Sequence, residues 1–166
     1  MTSGQWKRQL ERWIDDGLLD EILPEIASLK GVIQPPQYHP EGDAFTHTMQ
    51  AVQQLHDSDD ERIFWAVLLH DIGKSSTTTE LDGRIISHGH DLAGSAMVPA
   101  VLSRCGLAHL TEDVQWLVRH HHYHHSWNLK TGQELSPKQA KFTRHPLFPL
   151  LEKVCAADRA GRVAVL

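Results

Sequence analysis

The sequence predicts an all-α fold of five to eight helices with at most a minor β-hairpin, and three features predict it. Apolar residues recur at three- and four-residue spacing through most of the chain. Gly, Ser and Asp stand where those runs stop and start, as helix ends require. Only one stretch, Ser75 to Ser87, is turn-rich and β-branched instead. At 166 residues the chain is the size of one ordinary domain, so a single core over residues 1–166 and no second domain are expected.

Trp6, Leu10, Trp13 and Ile14 share a helical face, which predicts a first helix over Gln5 to Asp16, packed on the rest. Gly17 ends it, and a second helix is expected over Leu18 to Leu29. Gly31 to Asp43 reads as a loop, because Pro35, Pro36 and Pro40 fix φ and remove backbone donors. Asp43 is placed to cap a helix from Ala44 to about His56. The next helix, Ser58 to Ile72, begins with its own Ser/Asp cap, ends at Gly73 and turns Ile63, Ala66, Val67 and His70 inward. Leu81-Asp82-Gly83-Arg84 reads as a tight turn between short extended pieces. Helices resume over His90 to Cys105 and Leu110 to His125, parted by Gly106, with Pro99 expected to bend or break the first. Ser126 to Glu134, holding Trp127 and Gly132, is a loop, and helical stretches follow over Ser136 to Thr143 and His145 to Val163. Trp6, Trp13, Trp65 and Trp116 have core spacing, whereas Trp127 beside the histidine run is a candidate for the rim of a substrate mouth.

Composition narrows the function classes. Hydrophobic residues make up 40% and charged residues 22%, the balance of a globular rather than a disordered chain. The longest apolar stretch, Phe64 to Leu69, falls far short of the ~20 residues that span a bilayer, so no membrane partner is expected. The polar start, Met1 to Arg12, lacks the order of a secretory signal, and a cytoplasmic location is the expectation. With a net charge of −5 and no Lys/Arg-rich run, a long nucleic acid is not an expected partner. A small phosphorylated substrate needs locally focused positive charge, which a metal supplies. Cys105 and Cys155 have neither zinc-knuckle nor redox spacing and are expected to be buried as small apolar residues. What composition leaves unexplained is 13 histidines.

The sharpest local signal is Leu68-Leu69-His70-Asp71-Ile72-Gly73-Lys74, an apolar helix ending on adjacent imidazole and carboxylate groups. An aspartate behind such a run is expensive to bury unless a cation pairs with it. Neighbouring helical side chains diverge by about 100°, so both can reach one ion only near the helix end. His47, on the face of Ala51 and Leu55, points inward, and Asp158 follows the small apolar run Val154 to Ala157. His47, His70, Asp71 and Asp158 thus make a candidate nitrogen and oxygen site for a divalent transition metal, whether iron, manganese, nickel, cobalt or zinc.

In that order and spacing, these residues resemble the HD superfamily of metal-dependent phosphohydrolases. Gln34 to Thr48, Leu68 to Lys74, His88-Gly89-His90-Asp91-Leu92-Ala93-Gly94 and Ala157 to Arg162 are similar to the HD domain of bacterial CCA-adding enzymes. The likeness covers roughly residues 24–162. Nothing in these residues resembles the nucleotidyltransferase head of those enzymes, so the resemblance implies HD-type chemistry rather than CCA addition. That chemistry is hydrolysis of 2′,3′-cyclic nucleotides, 2′-nucleotides or other phosphoesters. It also implies a second metal between two further histidines: His90 matches the first, and within His120-His121-His122 the spacing from Val114, Leu117 and Val118 favours His121, then His122. Asp71 would bridge the two ions.

On that reading Asp71 or a nearby histidine takes a proton from the attacking water, and His90 is a candidate acid toward the leaving group. Lys74, Arg159 and Arg162 are candidate phosphate-binding charges, with Lys74 equally suited to complementing a helix end. Glu41 and Asp43 are read as cap or loop residues, or as contacts to a substrate hydroxyl or a metal-bound water. His39, His56, His88, His109, His124, His125 and His145 are expected in loops or facing solvent. Two other functions fit the same residues: a di-iron HD-type oxygenase, which requires both His90 and His121, and a non-catalytic nucleotide-binding module.

Overall fold

A computed structural model describes residues 1–127 and 133–164, and Gly132 of the expected 126–134 loop lies outside them. The architecture is mostly helical, with one small two-stranded sheet among the described residues. Helix α1 spans Ser3–Asp15, and Thr2 caps it in a reciprocal box with Gln5, a signal the Gln5 boundary missed. Single turns α2 (Leu19–Ile22) and α3 (Pro24–Ala27) follow. They replace the continuous helix expected over Leu18 to Leu29: Leu23, before Pro24, sits at φ −130° and ψ 64°, outside the helical region, as a pre-proline residue tends to.

Helix α4 spans Ala44–Gln53 and starts at Asp43, whose carboxylate accepts from the Thr46 N–H at 2.8 Å and the Gly31 N–H at 2.7 Å. Helix α5, Glu61–Leu69, starts two residues later than Ser58 suggested, because Asp60 is the cap. Every residue from Ile63 to Leu69 is buried, so α5 is the central helix, packed by α1, α4, α8 (Thr111–His120) and α10 (Phe148–Ala160). Each of these fully buried large side chains contributes roughly 1.5–3 kcal/mol. Trp6 of α1 meets Phe64 and Trp65 at 6.2 and 5.0 Å between ring centroids, which fixes α1 on the core.

After α5 the chain turns through α6 (Lys74–Thr77) into the hairpin β1 (Thr79–Leu81) and β2 (Arg84–Ile86), with Asp82 and Gly83 at positive φ in the turn, as the sequence predicts. Helix α7, His90–Arg104, runs unbroken through Pro99. The carbonyl that Pro99 cannot satisfy, that of Ser95, accepts from the Gln115 side chain of α8 at 2.9 Å, so the neighbouring helix repairs the gap. Helix α8 stops at His120 rather than His125; His121 and His122 turn out of it into a short 3₁₀ segment, Tyr123–Ser126. Helix α9, Pro137–Thr143, and α10, starting at Phe148 rather than His145, complete the described residues.

The Trp127 ring centroid lies 4.9 Å from that of Tyr123 and 5.8 Å from that of Phe142, in an aromatic cluster. Cys155 is buried and Cys105 half-buried; both are free. No helix among the described residues is long and apolar enough to cross a membrane.

Candidate metal centre

The ends of α5, α7 and α8 meet the faces of α4 and α10 around one buried carboxylate. Asp71 is 1% exposed, in the turn that follows α5. Its Oδ2 lies 3.2 Å from His70 Nε2 and 3.9 Å from His47 Nε2. Its Oδ1 lies 3.4 Å from His90 Nε2 and 3.9 Å from His121 Nε2. Asp158 Oδ1, from α10, approaches His47 Nε2 at 3.0 Å and His70 Nε2 at 3.9 Å. The six side chains His47, His70, Asp71, His90, His121 and Asp158 are all buried.

The ring nitrogens are sorted by backbone carbonyls. His70 Nδ1 donates to Val67 O at 2.6 Å, His90 Nδ1 to Ser87 O at 2.8 Å, and His121 Nδ1 to Val118 O at 2.7 Å. A carbonyl can only accept, so these Nδ1 atoms carry the protons and each Nε2 keeps a lone pair when the ring is neutral. Of these Nε2 atoms, those of His90 and His121 face each other at 3.3 Å, and that of His70 lies 3.3 Å from His47 Nε2, which donates to Asp158 Oδ1 at 3.0 Å. Asp71 Oδ1 is buried without a hydrogen bond. Converging lone pairs around an orphaned carboxylate oxygen are the arrangement a divalent cation satisfies, so the donor set fits a metal.

Electrostatics follow the same division. Burial pushes the Asp71 carboxyl up, but His70, Lys74 and His90 outweigh it and hold it well below the usual carboxylate range. Burial also opposes ionisation of Asp158, yet its hydrogen bond to His47 and the charge of His70 lower it far more. Burial, then the charge of His70, lowers His121 to about 3.

Three features were missed or misread from the sequence. Glu41 is neither a cap nor a solvating residue: buried at 5% exposure, its Oε1 lies 2.8 Å from His39 Nδ1 and 2.7 Å from His47 Nδ1. The first contact is a hydrogen bond, while the second approaches too obliquely to be one. His39, expected in solvent, is therefore held against the site. Glu41 is the one carboxylate between Gly31 and Gly42, a signal that could have marked it. His122, ranked second to His121, does not replace it but joins it: the nitrogens of His90, His121 and His122 lie within 4.8 Å of one another. Gly73 was read as the end of a helix, yet its φ of −67° is ordinary; a Cβ there would stand 2.1 Å from His90 O and 2.6 Å from Gly94 N. Glycine lets the turn after α5 touch the start of α7.

Of the candidate phosphate-binding charges, Lys74 is buried, with Nζ 2.8 Å from Asp71 Oδ2 and 2.7 Å from Gln34 Oε1. Arg162 lies 3.3 Å from both oxygens of Asp158, and Arg159 is exposed on α10. His145 stacks on Trp116 at 3.9 Å instead of facing solvent, while His56, His88, His109 and His125 are exposed. A cavity of about 320 Å³ opens beside Lys74, His90 and His122.

Comparison with known proteins gives the same assignment. The HD domain family matches residues 42–161. The chain is 35% identical over 158 residues to the multifunctional CCA protein of Pasteurella multocida, covering 88% of this chain and 37% of that protein. It is 36% identical over 164 residues to the one from Neisseria meningitidis, covering 95% of this chain and 38% of that protein. The protein of the same description from Alkalilimnicola ehrlichii is 34% identical over 160 residues, covering 90% and 37%. The chain thus spans under two-fifths of the length of these relatives, the part holding their HD domain and not their nucleotidyltransferase head. With the fold, the His-Asp cluster and the sequence match in agreement, the chain belongs to the HD domain family, whose members are in general divalent-metal-dependent phosphohydrolases.

Proposed function

We propose that this chain is a metal-dependent phosphohydrolase acting on nucleotides or cyclic nucleotides, as a 2′,3′-cyclic phosphodiesterase, 2′-nucleotidase or related phosphatase. The observation that carries the reading is Asp71, with one oxygen facing His47 and His70, which Asp158 also approaches, and the other facing His90 and His121. The first group would hold one divalent transition metal and the second group another, with Asp71 shared. When bound, such ions supply Lewis acidity toward phosphoryl oxygens and toward an attacking water.

The chain's own residues do the rest. Asp71 or a nearby histidine accepts the proton of the attacking water. Lys74 offers a point charge to a phosphoryl oxygen from the floor of the cavity, with Arg159 on α10 and Arg162 just past its end as further charges. His90, at the cavity edge, either completes the second metal or donates to the leaving group. His121, held neutral by burial, suits a ligand rather than an acid. Two imidazole pairs around one carboxylate also suit a di-iron oxygenase, which oxygen uptake would reveal.

The test is release of product from 2′,3′-cyclic AMP and from 2′-AMP by protein stripped with a chelator and reloaded with manganese, nickel, cobalt, zinc or ferrous iron. Turnover is expected only after reloading. No turnover with any of the five overturns the phosphohydrolase reading.

A further inference from the structure

Beside the polar cluster, two cavities of about 320 and 400 Å³ share Pro35, Ile85 and Ile86 as lining. One end of the first is polar, formed by Lys74, His90 and His122. The second continues outward to Tyr38 and Arg84. Tyr38 is 63% exposed and lines the outer part of the groove, where its ring is open to a ligand. A phosphate group occupies only a few water volumes, so it fills a small part of this space. The combined groove is instead on the scale that encloses a nucleotide-sized ligand.

Both walls are tied to the cluster. On the loop side, Gln34 accepts from Lys74 Nζ at 2.7 Å, and the same ammonium donates to Asp71 at 2.8 Å. On the hairpin side, Ser87 O receives the Nδ1–H of His90 at 2.8 Å, and the Ser87 hydroxyl meets Thr78 Oγ1 at 2.7 Å. The walls are therefore positioned by the residues that would receive the phosphate.

Resting on the phosphohydrolase reading, we infer that the groove between Pro35 and the Ile85-Ile86 strand is the nucleoside subsite, and that it sets the preference for nucleotides over simple alcohol phosphates. The phosphate sits at the Lys74 end. The ribose and base lie outward against Pro35, Ile85 and Ile86, with Tyr38 and Arg84 offering planar groups that stack on a base.

The test compares 2′-AMP with glycerol 2-phosphate, which carries the same phosphate class on an alcohol without a ring. Binding is followed by titration calorimetry on the metal-loaded full chain, with Ile85→Ser and Tyr38→Ala as variants whose folding is checked by circular dichroism. Wild type is expected to favour 2′-AMP. In Ile85→Ser that preference falls about tenfold, as loss of apolar contact of this size predicts, and in Tyr38→Ala it falls several-fold. An unchanged preference in both variants, an equal loss for both ligands, or no binding of 2′-AMP by wild type overturns the subsite. Hydrolysis measured on the same samples separates the two claims: selective binding without turnover leaves the subsite standing and defeats the phosphohydrolase, whereas turnover with unaltered preference does the reverse.

Discussion

On one side of Asp71, Oδ2 faces His47 and His70, which Asp158 Oδ1 approaches in turn, so these imidazoles have two carboxylates close by. On the other side, Oδ1 faces His90 and His121, with His122 behind them and, among the described residues, no carboxylate but Asp71 paired with these rings. The titration of the rings reflects this. Burial favours neutral His70, yet Asp71 and Asp158 raise it above the usual imidazole value. Burial and its histidine neighbours lower His121 to about 3 and His122 to about 2. The first half thus offers a cation mixed imidazole and carboxylate donors. The second is a set of neutral lone pairs that only a cation satisfies. What the difference teaches is that Asp71, with one oxygen toward each half, is the carboxylate the two halves share.

The largest expected effect therefore belongs to Asp71→Asn, which weakens both halves at once. Hydrolysis of 2′,3′-cyclic AMP should fall by about three orders of magnitude or more while the helical circular dichroism signal is kept. Glu41→Gln sharpens the comparison, because it acts on the first half alone through His47. Its metal affinity, read by competition with a chromophoric chelator, should fall about 10- to 100-fold at the first half, with His90 and His121 unaffected.

Gly73→Ala acts where the halves are joined. The added Cβ would meet backbone atoms, His90 O and Gly94 N, which cannot rotate away. Destabilisation of about 3 kcal/mol is expected, a Tm fall of roughly 6–12 °C by thermal melting. The smallest effect is Asp43→Ala at the start of the helix that carries His47, about 1 kcal/mol in urea at pH 7. Burial opposes the Asp43 charge, but the Gly31 and Thr46 N–H groups outweigh it and lower its pKa in the fold. Its stabilisation is thus present above the unfolded carboxylate value of about 3.9 and is lost as pH falls through the lower folded value. The gap between wild type and Asp43→Ala should close in that acidic window and nowhere above it.

The first half was legible in the sequence because its residues stand in long periodic helices. His70-Asp71 follows seven core positions, Ile63 to Leu69, and His47 shares its face with Ala51 and Leu55, so burial could be read from phase alone. The second half sits where periodicity fails. His121 and His122 leave α8 just as it ends, so helical phase could favour His121 but could not show both rings at His90. Glu41 lies in a loop, where sequence spacing says nothing of which side chain folds back on His47. The break at Pro24 was readable from the pre-proline restriction and was overridden by the apolar pattern around it. Pro99 does not break α7, and only the packed neighbour shows why: Gln115 takes the carbonyl it frees.

The most direct test is metal content by elemental analysis on folded wild type, His121→Ala and Asp71→Asn after saturation and desalting. A shared centre predicts two equivalents in wild type, one in His121→Ala and a loss at both positions in Asp71→Asn. Retention of the wild-type content by Asp71→Asn would contradict it.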